Sequence, residues 1–133
     1  GGPLTITPHL AEAARLLACD TQSISQDRLS AAAQLHSKFD CLGVLKGAGS
    51  IVFSGDHVEI CAHGNPGMAT AGMGDVLSGI LGGFMGQALD ARLPALRNAV
   101  SLHSAAADEA VQRTGVRSLL ATDVTAAVPH LLS

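Results

Sequence analysis

Apolar residues recur along this chain with two different periods, and the switches between them predict its elements. Residues 3–7, Pro-Leu-Thr-Ile-Thr, read as a short strand. Thr7-Pro8 then offers an N-cap hydroxyl and a proline at a first helical position, with a helix over 11–18 that turns Leu16 and Leu17 inward. Glu12 falls in its first turn, where a carboxylate suits the positive end of the helix dipole. Residues 21–25 read as a polar connector. From 26 to 38, ending near Asp40, Leu29, Ala32, Ala33, Leu35 and Phe39 recur at helical spacing, the pattern of one buried face. The apolar run at 41–46 reads as a strand buried on both faces, and 50–54 with 57–61 as a hairpin about Gly55-Asp56.

Residues 63–74 are too rich in turn formers for regular structure and read as a long loop. Beyond it Val76, Leu77, Ile80, Leu81, Phe84 and Met85 repeat at i and i+4, while Gly79, Gly82 and Gly83 imply close packing of that helix. A longer helix is predicted over 94–113, with Leu96, Val100, His103, Ala107 and Val111 on one stripe. A last helix over 122–132 has Thr122 as its cap. Strands alternating with helices predict a layered α/β sheet in a single domain.

Composition narrows the function. With 47% hydrophobic and 14% charged residues over 133 positions, the chain has a core for one globular domain. A net charge of -3 without any Lys/Arg run gives nothing to track a nucleic-acid backbone, and three phenylalanines give no base-stacking platform. Its most apolar stretch, 76–89, is too short and too interrupted to span a bilayer. No leader-like segment opens the sequence, so the expectation is a cytoplasmic protein with neither nucleic-acid nor membrane partners. Cys19, Cys41 and Cys61 lack C-x-x-C spacing and read as buried, reduced thiols. The six histidines form no ligand pair with each other or with carboxylates, so no protein-held metal is expected.

Chemistry concentrates at Gly72-Met73-Gly74-Asp75, which opens an apolar helix directly after the glycine-rich loop. Free N–H groups and the dipole at such a start attract phosphate, and glycine lets an anion approach closely. Asp75 among those donors has two equal readings: a base that takes a proton from a hydroxyl attacking that phosphate, or a helix cap. Asn65 and Thr70 are turn formers that also suit phosphate positioning. Lys46 alone reads as a strand-end lysine, His9 as a loop residue, His103 as a hydrogen-bonded core histidine, and His57 and His63 as neighbours near the hairpin.

The run Asn65-Pro66-Gly67-Met68-Ala69-Thr70-Ala71-Gly72-Met73-Gly74-Asp75-Val76-Leu77-Ser78-Gly79 closely resembles the signature of the ADP- or ATP-dependent NAD(P)H-hydrate dehydratases, members of the ribokinase-like kinases, with Ala71 where the family has glycine. Lys46-Gly47-Ala48-Gly49-Ser50 resembles the family's nucleotide-contacting segment, with Ser50 in place of threonine. Residues 7–12 resemble its T-P-H-P-G-E segment, keeping His9 and Glu12 but losing the second proline and the glycine. Residues 119–124 look like the family's ending.

This resemblance implies a ribokinase-like layered sheet with flanking helices. The implied reaction phosphorylates the hydroxyl of a hydrated nicotinamide ring, and loss of phosphate then restores NADH or NADPH. Asp75 would be the catalytic base, and the N–H groups of Gly72, Met73 and Gly74 the anion hole. Lys46, Gly47, Ala48, Gly49, Ser50 and Gly74 would contact ADP or ATP, and His9 with Asp75 would contact the hydrated cofactor. Magnesium would travel with the nucleotide phosphates. Implied partners are a second copy of the chain and, in a longer protein, an epimerase domain. Family members are about twice this length, so only the C-terminal half of the usual domain is expected, as a truncated form, a proteolytic remnant or a short gene product. Two other readings stand beside the dehydratase: a ribokinase-like kinase of a small alcohol such as a vitamin precursor or sugar, and a non-catalytic fragment that binds adenine nucleotide or self-associates through an open sheet edge.

Overall fold

The computed structural model, which describes residues 4–55, 57–88 and 90–132, starts with the strand that the alternation near the N-terminus predicts: β1 is Leu4–Ile6. Pro3 of that reading and Asp56 of the hairpin reading lie outside the described residues. The chain divides into two units, Gly1–Cys61 and Ala62–Ser133, each with its own core.

In the first unit β1 is followed by α1 (Leu10–Leu17), α2 (Thr21–Gln26) and α3 (Arg28–Phe39), and then by β2 (Cys41–Leu45), β3 (Ile51–Ser54) and β4 (His57–Ile60). The sheet order is β1-β2-β3-β4. β1 and β2 are parallel, joined by the helical crossover that parallel neighbours require, and the other two pairings are antiparallel. β2 is buried on both faces, as its unbroken apolar run predicts, with Val44 on one side and Cys41 and Leu45 on the other. Helix α3 packs on β2 and β3, and Ala13, Ala14, Ile24, Ala31, Ala32, Leu35, Leu45, Ile51 and Phe53 share one core. Gly43 leaves no room for a side chain: a methyl group there would lie 2.2 Å from the Ile6 carbonyl oxygen and 3.0 Å from the Phe53 ring.

Several local expectations are corrected in this unit. Thr7 does not cap α1; His9 does, because its Nδ1 accepts the Glu12 N–H at 3.3 Å and Glu12 Oε2 accepts the His9 N–H at 2.8 Å, a reciprocal capping box. The stretch read as a connector is α2, capped by Asp20, whose Oδ1 accepts from the Ser23 N–H at 2.8 Å, and anchored by buried Ile24. On α3 the buried face runs through Ala31, Ala32 and Leu35, while Leu29 is 47% exposed and Ala33 points outward. Small alanines, not the larger leucine, let that helix approach the sheet. Of the cysteines only Cys41 is buried; Cys19 is exposed and Cys61 half-buried, and among the described residues none of the three is in a disulfide.

The second unit is helical: α4 (Met73–Gln87), α5 (Arg92–Thr114) and α6 (Ala121–Leu132), with single 3-10 turns at Pro66–Met68 and Val116–Ser118. Helices α4 and α6 pack against α5, where Ala106, Ala107 and Ala110 meet Met73, Leu119, Val124 and Ala127. Pro94 sits in the first turn of α5, where its missing N–H costs no helical bond. The predicted stripe on α5 is buried at Leu96, Val100, His103 and Ala107 and half-buried at Val111. Leu77 and Leu81 of α4 are buried as their spacing predicts. The expectation of close packing at Gly79, Gly82 and Gly83 is corrected: a methyl group at any of the three meets open space. Thr122 is not the cap of α6 but lies inside its first turn, where Asp123 Oδ2 accepts the Leu120 N–H at 2.9 Å. Among the described residues, no helix is long and apolar enough to cross a membrane.

Candidate functional site

In the first unit the loop at 46–50 leaves β2 and turns back into β3. Gly49 holds a left-handed φ of +66°, which favours glycine, and Ser50 Oγ donates to the Gly47 carbonyl at 3.4 Å. Arg28, at the start of α3, reaches across the loop. Its guanidinium donates to the carbonyls of Ala48 at 2.7 Å, Gly49 at 3.0 Å and Leu45 at 3.5 Å. A side chain at Gly47 would press on that guanidinium, 2.9 Å from its nearest nitrogen.

The same loop touches the other predicted segment of this unit, because the Lys46 N–H donates to the Pro8 carbonyl at 2.8 Å. His9, the predicted substrate contact, follows Pro8 and is exposed, with its Nδ1 committed to the cap of α1. Its Nε2 lies 3.5 Å from Glu12 Oε1. The His9 backbone N–H is the chief reason the Glu12 carboxyl sits below its ordinary value; burial opposes this, and the charges of His9, Lys46 and Arg15 add to the lowering. Beside these residues runs a shallow groove of about 510 Å3 lined by Ile6, Thr7, Pro8, Glu12, Arg15 and Leu16. The structure therefore joins residues 7–12 and 46–50, which the sequence holds far apart.

In the second unit the glycine turn delivers its residues to the start of α4. Gly72 occupies the N-cap with φ of +87°, and no side chain caps the helix. The Met73 N–H donates to the Thr70 carbonyl at 3.3 Å, and the first bond of the helix proper is from Val76 to Gly72. Helix geometry leaves the amides of Gly74 and Asp75 with no carbonyl to meet inside α4. Asp75 is exposed in this first turn, and among the described residues its carboxylate makes no hydrogen bond or ion pair. A bare helix start with an uncommitted carboxylate is the arrangement that anion binding and proton acceptance both need.

The side chains of Asn65 and Thr70 are both engaged, Asn65 with α5 and the loop and Thr70 with the loop alone. Asn65 Nδ2 donates to Asp108 Oδ1 at 2.8 Å and its Oδ1 accepts the Gly67 N–H at 3.0 Å; Thr70 Oγ1 donates to the Gly67 carbonyl at 2.8 Å. Arg28 and Asp108 were not among the sequence candidates, yet each left a trace. Arg28 puts a cation at the positive end of a helix, against the dipole, and Asp108 is a poor helix former directly after the run Ala105-Ala106-Ala107.

Comparison with known proteins adds four findings. A family model described as NAD(P)H-hydrate dehydratase matches residues 1–130. A bifunctional NAD(P)H-hydrate repair enzyme of Vibrio cholerae is 46% identical over 126 residues, which is 95% of this chain and 25% of that protein. An ADP-dependent (S)-NAD(P)H-hydrate dehydratase of Neisseria meningitidis is 40% identical over 130 residues, 96% of this chain and 44% of that one. Among solved structures, the ADP/ATP-dependent NAD(P)H-hydrate dehydratase of Bacillus subtilis, co-crystallised with ATP/Mg2+, superimposes with a TM-score of 0.91 at 27% identity, covering 98% of this chain and 47% of that one. The fold is thus about half of a ribokinase-like dehydratase, and the chain spans less than half of each of these relatives.

Proposed function

We infer the function from one premise: the chain belongs to the NAD(P)H-hydrate dehydratase family, whose model spans residues 1–130 and so runs through both units. That span supports reading the two units as parts of one partial ribokinase-like domain. The proposed activity is nucleotide-dependent repair of hydrated NADH or NADPH in the cytoplasm, with ADP or ATP as phosphoryl donor. Asp75 takes the proton from the ring hydroxyl as its oxygen attacks the terminal phosphorus and the bond to the rest of the nucleotide breaks. The amides of Gly72 and Gly74 hold the oxygens of the phosphoryl group in transit, while the Met73 N–H, which donates to the Thr70 carbonyl at 3.3 Å, steadies the turn behind them. Residues 46–50 contact the nucleotide, and His9 presents its exposed Nε2 to the hydrated cofactor. Cleavage of the ring C–O bond then releases phosphate, a proton leaves the neighbouring ring carbon to solvent, and the double bond so formed restores the reduced ring.

Magnesium fits this reading as a passenger on the nucleotide. Among the described residues no three His, Cys, Asp or Glu side chains converge, so its ligands would be phosphate oxygens and water, with Asp75 the nearest carboxylate in the sequence of the turn. A second copy of the chain and a fused epimerase domain are the proposed partners; the bifunctional names of the Vibrio relative and others of its kind support the fusion.

The observation that carries the proposal is Asp75 itself, exposed and uncommitted at an uncapped helix start. The test follows absorbance of reduced nicotinamide on mixing hydrated NADH, magnesium and ADP or ATP with the chain and with Asp75→Asn. The expected result is turnover that falls by about a thousandfold in the variant, the size of loss seen when a transition-state contact is removed. Equal rates would remove Asp75 from the mechanism, and a stable phosphorylated product would reassign the chain to the kinases.

A further inference from the structure

We propose that Asp108 of α5 is a positioning residue that sets the geometry of the glycine turn, and through it the amides at 72–74 and the Asp75 carboxylate; the proposal rests on the functional reading above. A relay of hydrogen bonds supports it. Asp108 Oδ2 accepts the Gly64 N–H at 3.0 Å and Oδ1 accepts Asn65 Nδ2 at 2.8 Å. Asn65 Oδ1 in turn accepts the Gly67 N–H at 3.0 Å. The Gly67 carbonyl accepts Thr70 Oγ1 at 2.8 Å, and the Thr70 carbonyl accepts the Met73 N–H at 3.3 Å. Each bond hands the position of one loop residue to the next, from α5 to the first residue of α4.

The loop needs such a relay because its composition gives it little else to hold on with. Of residues 64–72 only Met68 has a large side chain, and Gly64 and Gly72 both hold positive φ. Gly67 is the second fixed point: a methyl group there would lie 2.7 Å from the Val116 carbonyl oxygen and 3.1 Å from Leu119 Cδ2, so the loop is seated where no other residue fits. The described hydrogen bonds of Asp108 go to the loop, whereas the packing of α5 is carried by Ala106, Ala107 and Ala110. Removing the carboxylate therefore disturbs the turn before it disturbs the helices. An anion hole works only when its donors are preset, so a loosened turn costs turnover more than nucleotide binding.

The chemistry of the pair supplies a clean test. In Asp108→Asn one amide nitrogen must face either the Gly64 N–H or the Asn65 amide, so at least one bond is lost. In Asn65→Asp two carboxylates face each other across the relay. The double variant N65D/D108N reverses the roles and remakes every bond: the new amide nitrogen donates to the new carboxylate, which still accepts from Gly67, and the new carbonyl accepts from Gly64.

Hydrogen exchange at Gly64, Gly67 and Met73 is expected to speed up about tenfold in each single variant, the loss of roughly one net hydrogen bond, and to return to within about threefold of the parent in the double one. Exchange at Ala106, Ala107 and Ala110 should not change. In the turnover assay kcat should fall about tenfold or more in each single variant while KM for ADP stays within about threefold, with kcat recovered in the double. Unchanged exchange at Gly67 and Met73, failure of the double variant to recover, or loosened exchange with an unaltered kcat would each overturn the proposal. A parent chain without turnover would count against the dehydratase reading, and the exchange arm would still decide whether Asp108 sets the turn.

Discussion

Arg28 holds the carbonyl of Ala48 at 2.7 Å and spreads the rest of its guanidinium over Gly49 and Leu45. One side chain thus fixes the backbone of the loop proposed to meet the nucleotide. Arg28→Ala leaves those carbonyls to water and is expected to lower stability by about 1–3 kcal/mol and affinity for MgADP by about tenfold. Arg28→Lys keeps the charge but not the fork, so it should recover less than half of either loss. Denaturant unfolding and calorimetric titration measure both; a lysine variant equal to the parent would show that charge, not geometry, matters at this position.

Glycines in this chain fall into two kinds, and alanine separates them. At Gly43 the added methyl meets the Ile6 carbonyl at 2.2 Å, backbone that cannot move without parting β1 from β2. Gly43→Ala should cost about 3 kcal/mol or more. At Gly82 the methyl meets open space in the middle of α4, so Gly82→Ala should raise stability by about 0.5–1 kcal/mol through helix propensity alone. Opposite shifts in unfolding midpoint are the expected result; a destabilised Gly82→Ala would mean that this face of α4 packs against something after all.

The thiols should react in order of exposure. Cys41 is 2% exposed, and burial, aided by the charge of Asp40, raises its pKa above the ordinary 9.0. A disulfide reagent at neutral pH should therefore modify Cys19 in a fast phase that Cys19→Ser removes, while Cys41 reacts only as fast as the chain opens. Rapid labelling of Cys41 in the Cys19→Ser variant would contradict the packing of β2 against α3.

What could be read from the sequence was what local pattern controls. The apolar run of β2, the hairpin about Gly55 and the stripe of α5 all stand where periodicity puts them, and so does the helix opening at Gly72. Helix α2 was hidden because Ile24 is its only buried residue, although Asp20 three positions before Ser23 was a legible cap. The contributions of Arg28 and Asp108 were hidden for a different reason. Their partners lie 20 and 44 positions away, and only the folded chain decides which distant carbonyls and amides are left needing a partner. His9 lies between these cases: its place before Glu12 was visible, but the imidazole as cap was not, since Thr7 is the better cap by type.

Acid should expose the capping box of α1. The folded pKa of Glu12 lies below its ordinary 4.5, first because its carboxylate accepts the His9 N–H. Between those two values the unfolded chain binds a proton that the folded chain does not, so this contribution is complete above about pH 4.5 and is lost as pH falls through the folded value. Asp20, lowered first by the Ser23 N–H, acts with the same sign on α2. Urea midpoints measured from about pH 7 down to about pH 3 should fall less steeply for Glu12→Gln and for Asp20→Asn than for the parent. The two variants should add, because they sit at different helix starts without a shared partner. A parent and a Glu12→Gln chain that lose stability in parallel below pH 4.5 would show that the ionised Glu12 carboxylate contributes nothing to the folded state.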